Sequence, residues 1–149
     1  VVALASLGVS ACDVRGGGGA APPPEILGAP AEGELAPMVQ REDARARGEG
    51  RRLVVYVGAT WCEPCERFKK ALAGGALDVE LAGLRLLELD ADRDQARLES
   101  AGCGSSYLPL FALPEADGRC SARERLEGSI KGEGAVAEIT PRLRRLVRP

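Results

Sequence analysis

Two cysteines three positions apart, Cys62 and Cys65, lie in the pentapeptide Trp61-Cys62-Glu63-Pro64-Cys65. A thiolate that attacks a disulfide forms a mixed disulfide and is then displaced by a neighbouring thiol. Two sulfurs one helical turn apart therefore suit thiol–disulfide exchange. The first turn of a helix adds free amide groups and the positive end of the helix dipole, which favour the thiolate. The flanking sequence predicts such a turn. Residues 53–58 form a near-continuous apolar run, as in a central strand buried on both faces. Residues 66–73 then place Phe68, Ala71 and Leu72 on one helical face and Glu66, Arg67, Lys69 and Lys70 on the solvated side. Cys62, at the helix start and nearer solvent, is the expected nucleophile, and Cys65, one turn inside, the resolving thiol.

Composition narrows the remaining chemistry. The chain has 149 residues, 45% hydrophobic and 28% charged, enough for one domain with a core plus extra length. It has no histidine, which excludes zinc or haem held by His as well as Ser–His and Cys–His catalysis within the chain. Its 20 basic and 22 acidic residues are spread along the sequence, so nucleic acid is not an expected partner. Five cysteines are an odd count for a disulfide scaffold and point to different jobs for different thiols.

The elements around the pair follow from pattern and punctuation. Residues 34–47 place Leu35, Met38, Val39 and Ala46 on one helical face, with Pro37 in the first turn and Gly48 and Gly50 at the end. After the central strand and the Cys-bearing helix, Gly74-Gly75 is a stop, residues 77–82 are short or irregular, and residues 84–89 read as a second strand ending at Asp90. Asp92 is the expected cap of a helix running to Ser100, with Gly102 at its C-terminal end. Residues 107–113 form a strand entered through Pro109, residues 114–121 a turn, and residues 123–127 an antiparallel edge strand closed by Gly128. A last helix over residues 135–147 turns Val136, Ile139, Leu143, Leu146 and Val147 inward, and Pro141 either kinks it or starts a second segment. The fold class is α/β, a central mixed sheet flanked by helices.

Trp-Cys-Glu-Pro-Cys after a hydrophobic strand resembles the active-site motif of the thioredoxin superfamily. The Glu63-Pro64 dipeptide is similar to that of membrane-anchored bacterial members serving cytochrome c maturation. The resemblance spans roughly residues 34–147 and implies a thioredoxin fold. It also implies that Pro109 is cis and faces the cysteine pair, that Leu108 and Pro109 line the groove where a partner's extended chain pairs, that Trp61 forms part of the rim, and that Pro64 restrains the turn. Two positions depart from the pattern. Thioredoxins carry a buried Asp six residues before the first cysteine and a Lys on the neighbouring strand; here Tyr56 and, as aligned, Leu86 stand there. Glu63 is then the carboxylate next to the pair. Either its charge raises the Cys62 pKa, or it is an exposed first-turn acid that favours the helix N-terminus.

Cys103 and Cys120 admit three readings. A second disulfide would close a loop and stabilise by about 3 kcal/mol if unstrained. In the family fold, however, those places tend toward opposite ends of the sheet, and a bridge needs Cα atoms within about 7 Å, so two independent free thiols are equally compatible. A metal role is the third; zinc needs two close Cys pairs and the sequence offers one, so no metal and no cofactor are expected.

The N-terminal third reads differently. Residues 1–11 are apolar and small, about half the ~20 residues of a spanning helix, and suit the end of an export signal. Val9-Ser10-Ala11-Cys12 resembles the lipobox of bacterial lipoproteins, which implies lipidation of Cys12, and Asp13 resembles an inner-membrane retention residue. Residues 13–33, with Gly16-Gly17-Gly18-Gly19 and Pro22-Pro23-Pro24, are expected to form a flexible tether. The expected organisation is 1–12 signal remnant, 13–33 linker and 34–149 thioredoxin-like domain. A monomer tethered by lipid on the periplasmic side of a bacterial membrane, the inner membrane favoured, would exchange with protein thiols and disulfides, an apocytochrome c or other envelope proteins among them. As a reductase rather than an oxidase it would need a membrane electron donor. A rival reading keeps the fold without turnover, as a binding module or a Cu(I) carrier on two thiolates.

Overall fold

The computed structural model describes residues 19–148. In chain order they form β1 (Glu25–Gly28), α1 (Leu35–Gly48), β2 (Arg52–Gly58), α2 (Glu63–Ala73), β3 (Leu84–Asp90), α3 (Gln95–Ser100), β4 (Leu110–Pro114), β5 (Cys120–Glu127) and α4 (Ala135–Leu146). The strands make one sheet in the order β1-β3-β2-β4-β5. β1, β3 and β2 run parallel, and β4 and β5 are antiparallel additions. With α1 and α3 on one face and α2 and α4 on the other, this is the thioredoxin fold.

Strand periodicity explains the two layers. Leu53, Val55 and Val57 of β2 join Leu35, Val39, Leu87, Leu89, Leu98 and Leu110 in one core. Val54 and Tyr56 point the other way and join Cys65, Phe68, Leu86, Phe111, Ile139 and Leu143 in the second. Both faces of β2 are covered, which is why its sequence is apolar throughout rather than alternating. Tyr56, Phe68 and Phe111 meet at ring-centroid distances of 5.1–5.8 Å in the second core.

Three expectations are corrected. The segment read as linker to Gly33 contains β1, whose Ile26 and Leu27 pair with Leu86 and Leu87. β1 is also held by ion pairs from the buried Arg85 to Glu25 and to Glu49, the residue that follows α1. Asp92 does not cap α3; Asp94 occupies the N-cap position, and its carboxylate accepts from Arg93, Arg97 and the Asp90 backbone N–H. Cys103 and Cys120 do not lie at opposite ends of the sheet. They form a disulfide with Cα atoms 5.1 Å apart. The backbone N–H of Cys120 donates to the Ala101 carbonyl at 3.0 Å, so the chain leaving α3 runs beside the start of β5.

The hairpin between β4 and β5 reaches α1 closely. A side chain on Gly118, at φ +82°, would meet the Ala36 carbonyl at 2.0 Å, so only glycine fits. Pro141 lies inside a continuous α4, without starting a second segment. Among the described residues no helix is long and apolar enough to cross a membrane. Cys12 and Asp13, and with them the lipobox, lie outside the described residues.

Candidate active site

The loop from β2 to α2 brings the cysteine pair to the C-terminal edge of the parallel strands. Cys62 is the N-cap residue of α2 and takes the place a Ser or Asp often holds, its Sγ accepting the Cys65 backbone N–H at 3.3 Å. Pro64 sits in the first turn, where its missing N–H leaves no bond unmade. Cys62 and Cys65 are joined as a disulfide with Cα atoms 5.2 Å apart. Both are buried, Cys62 at 4% exposure and Cys65 at 1%, so the difference in access expected from their order is small.

Trp61 is 66% exposed and its indole N–H donates to Asp92 at 2.8 Å. It faces a cavity of about 260 Å³ whose other walls include Gly104, Ser105, Ser106 and Leu108. The Leu108–Pro109 peptide bond is cis. Leu108 packs against both cores, including the one that contains the two cysteines, and the Pro109 carbonyl accepts the Gly128 N–H at 2.9 Å. The sequence-predicted residues Trp61, Cys62, Cys65, Leu108 and Pro109 therefore gather at one end of the molecule. The Cys103–Cys120 bridge holds the base of the loop that carries Leu108, and Arg125 donates to the Gly102 and Gly104 carbonyls of the same loop.

Glu63 points away from the pair. Its carboxylate accepts from Arg67 at 2.7 Å and from the Gly132 backbone N–H at 3.0 Å, tying α2 to the loop before α4. The Arg67 hydrogen bond and then the Gly132 N–H hold the Glu63 carboxyl below the ordinary carboxylate range.

Behind the pair lies a second cavity, of about 250 Å³, whose walls include Tyr56, Cys65, Lys69, Glu88 and Asp90. In the strand register Tyr56 pairs with Glu88 on β3, and Leu86 pairs with Val54 on the same face. Glu66, Glu88 and Asp90 line the cavity that Cys65 borders, and Glu63 does not. Glu88 and Lys69, which sequence reasoning passed over, form an ion pair at 2.7 Å beside that cavity. The signal was present on β3, where Leu84 and Leu86 face the α2 core and Glu88 continues the same alternation. The Tyr56 hydroxyl lies 3.5 Å from the Cys65 carbonyl oxygen, and burial pushes its ionisation well up. Gly58 makes that approach possible, because a Cβ there would lie 2.9 Å from the Tyr56 hydroxyl oxygen and 3.4 Å from Cys65 Cβ.

The sequence matches no protein-family model and no curated protein. Solved structures similar to the chain include a mutant thioredoxin from Halobacterium salinarum, 19% identical, covering 87% of this chain and 93% of that one at a TM-score of 0.49. Trichomonas vaginalis thioredoxin is 18% identical and covers 69% of this chain and 85% of that one at 0.45. Fasciola hepatica thioredoxin is 20% identical and covers 72% and 88% at 0.43.

Proposed function

We propose that this chain is a thiol–disulfide oxidoreductase acting on protein disulfides. The observation that carries the reading is the Cys62–Cys65 disulfide seated on the N-terminus of α2, with exposed Trp61 and the cis Leu108–Pro109 bond at the same end of the molecule. In the reduced protein, the amides and dipole of the first helical turn favour a Cys62 thiolate. Cys62 attacks a partner disulfide, and Cys65 then attacks Cys62 Sγ, releasing the partner as a thiol. Trp61 forms the rim and Leu108-Pro109 the groove in which the partner's extended chain docks.

The working direction in this reading is reduction, with a dithiol donor restoring the pair. The setting is the bacterial cell envelope, with Cys12 as the lipid anchor on the periplasmic side and an apocytochrome c or another envelope protein as partner. A second buried disulfide supports an oxidising compartment. Redox-buffer titration of the full chain, with the state of Cys62–Cys65 read separately from that of Cys103–Cys120 by alkylation and peptide mass, tests the direction. A midpoint near about -270 mV or lower is expected; a value near about -120 mV would make the protein a disulfide donor instead. Absence of a two-electron transition at Cys62–Cys65 would remove the oxidoreductase reading altogether.

A further inference from the structure

Resolution of a mixed disulfide requires Cys65, enclosed at 1% exposure, to lose its proton. The route must run through whatever surrounds the inner sulfur. Cys65 borders the 250 Å³ cavity behind the active site, which is polar and large enough for water. We propose that Glu88 is the proton acceptor for Cys65 across this cavity and that Lys69 is the positioning residue that holds the Glu88 carboxylate there. The inference rests on the oxidoreductase reading and extends it to the second half of the exchange.

Three observations carry it. Glu88 continues the alternation that puts Leu84 and Leu86 into the core, and its side chain, 26% exposed, stands at the rim of that face beside the cavity. Its backbone is fixed on both sides, by β2 through Tyr56 and by the Ala29 N–H, which donates to the Glu88 carbonyl at 2.9 Å. The Lys69 ammonium, reaching over from α2, holds the carboxylate at 2.7 Å.

Asp90 and Arg93, which also line the cavity, are otherwise engaged. Asp90 accepts the backbone N–H groups of Asp92 and Arg93 at 2.9 Å each. Arg93 is held by Asp94. Glu66 also lines the cavity, but it is exposed and solvent screens its charge. Tyr56 stays protonated, since burial raises its pKa, and so offers no phenolate base.

The step balances. With the partner's sulfur bonded to Cys62, the Cys65 thiol passes its proton through cavity water to the Glu88 carboxylate, and its sulfur attacks Cys62 Sγ. The Cys62–Cys65 bond forms, the bond to the partner breaks, and the partner's sulfur leaves with the electron pair and takes up a proton. The dithiol is oxidised and the partner disulfide reduced by the same two electrons.

Reaction of the full chain carrying Cys12→Ser, reduced at Cys62–Cys65 with Cys103–Cys120 left bonded, with 5,5′-dithiobis(2-nitrobenzoate) separates the two halves. Attack by Cys62 releases one thionitrobenzoate in a phase that scales with reagent concentration. Resolution by Cys65 releases the second in a phase that does not. In Glu88→Gln and Glu88→Leu the first phase is expected unchanged, which also certifies a folded site, and the second slowed about tenfold or more at neutral pH with its acid limb lost.

Electrostatics alone predicts the opposite sign. Removing a carboxylate lowers the pKa of a nearby thiol and would make resolution faster. A second phase equal to or faster than wild type in both variants would overturn the assignment while leaving the oxidoreductase reading in place. No second phase in the wild-type protein would remove that reading and this one together.

Discussion

A sulfur at the N-cap position of α2 does two things at once. It accepts the Cys65 N–H as a hydroxyl would, and it lies where the helix dipole favours negative charge. The neighbouring Glu63 could oppose that effect only if its charge stood free near Cys62. Instead the carboxylate is shared between Arg67 and the Gly132 N–H, and it is about half exposed, where solvent screens it further. Its chief contribution is to fix the loop before α4 against the active-site helix. Glu63→Gln is therefore expected to move the Cys62 pKa by less than about half a unit. The pH dependence of the iodoacetamide rate in the reduced protein measures this directly, and a fall of a full unit or more would show that Glu63 tunes the nucleophile.

At the level of elements, the turn from β3 to α3 is organised by one carboxylate. Burial pushes the Asp94 pKa up, but the hydrogen bonds from Arg93, the Asp90 N–H and Arg97 outweigh it, so the carboxyl titrates below its ordinary value. Arg97, held by Asp94, also donates to the Pro30 carbonyl and so ties the chain between β1 and α1 to α3. Because the folded pKa lies below the unfolded one, this stabilisation is complete above the unfolded value of about 3.9 and is lost as pH falls through the folded value. Asp94→Asn leaves two guanidinium groups without their counter-charge and is expected to cost about 3 kcal/mol near neutrality. Urea unfolding across pH should show the gap to wild type closing below about pH 4, and a gap independent of pH would mean that the charge of Asp94 is not what stabilises the turn. The same turn shows where pattern reading fails. Asp92 and Asp94 are both acceptable caps by residue type, and only the tertiary position of Arg97 and the indole of Trp61 decides which carboxylate goes where. By contrast β2, β3, α1 and α4 were legible because each has a long apolar face against a core. β1 was not, since its four residues show no period and are ordered by pairing with β3.

The whole molecule assembles its site from parts far apart in sequence, namely the turn after β2, the cis bond before β4, and the inner cavity shared by β1, β2, β3 and α2. The cysteine pair, Trp61 and Pro109 could be read from a local motif. Glu88 and Lys69 could not, because their relation to Cys65 is set by strand register and by the roll of α2 over the sheet. Nor could the Cys103–Cys120 bridge be chosen over two free thiols, since proximity depends on how the chain leaving α3 meets the start of β5. The N-terminal boundary has the largest consequence. A fragment beginning at Glu34 omits β1, exposes the outer edge of β3, and leaves the buried Arg85 without Glu25. It also removes Gly28 and Ala29, which form part of the wall of the cavity behind Cys65 and hold the Glu88 carbonyl. A lost strand, and a buried guanidinium left with Glu49 as its remaining carboxylate partner, are together expected to lower stability by about 3 kcal/mol relative to the full chain. Guanidinium unfolding of the two proteins, each with both disulfides intact, measures the difference. Equal stabilities would mean that β1 merely rests on β3. A large loss would make residues 25–29 an integral part of the domain and of the chamber behind its inner cysteine.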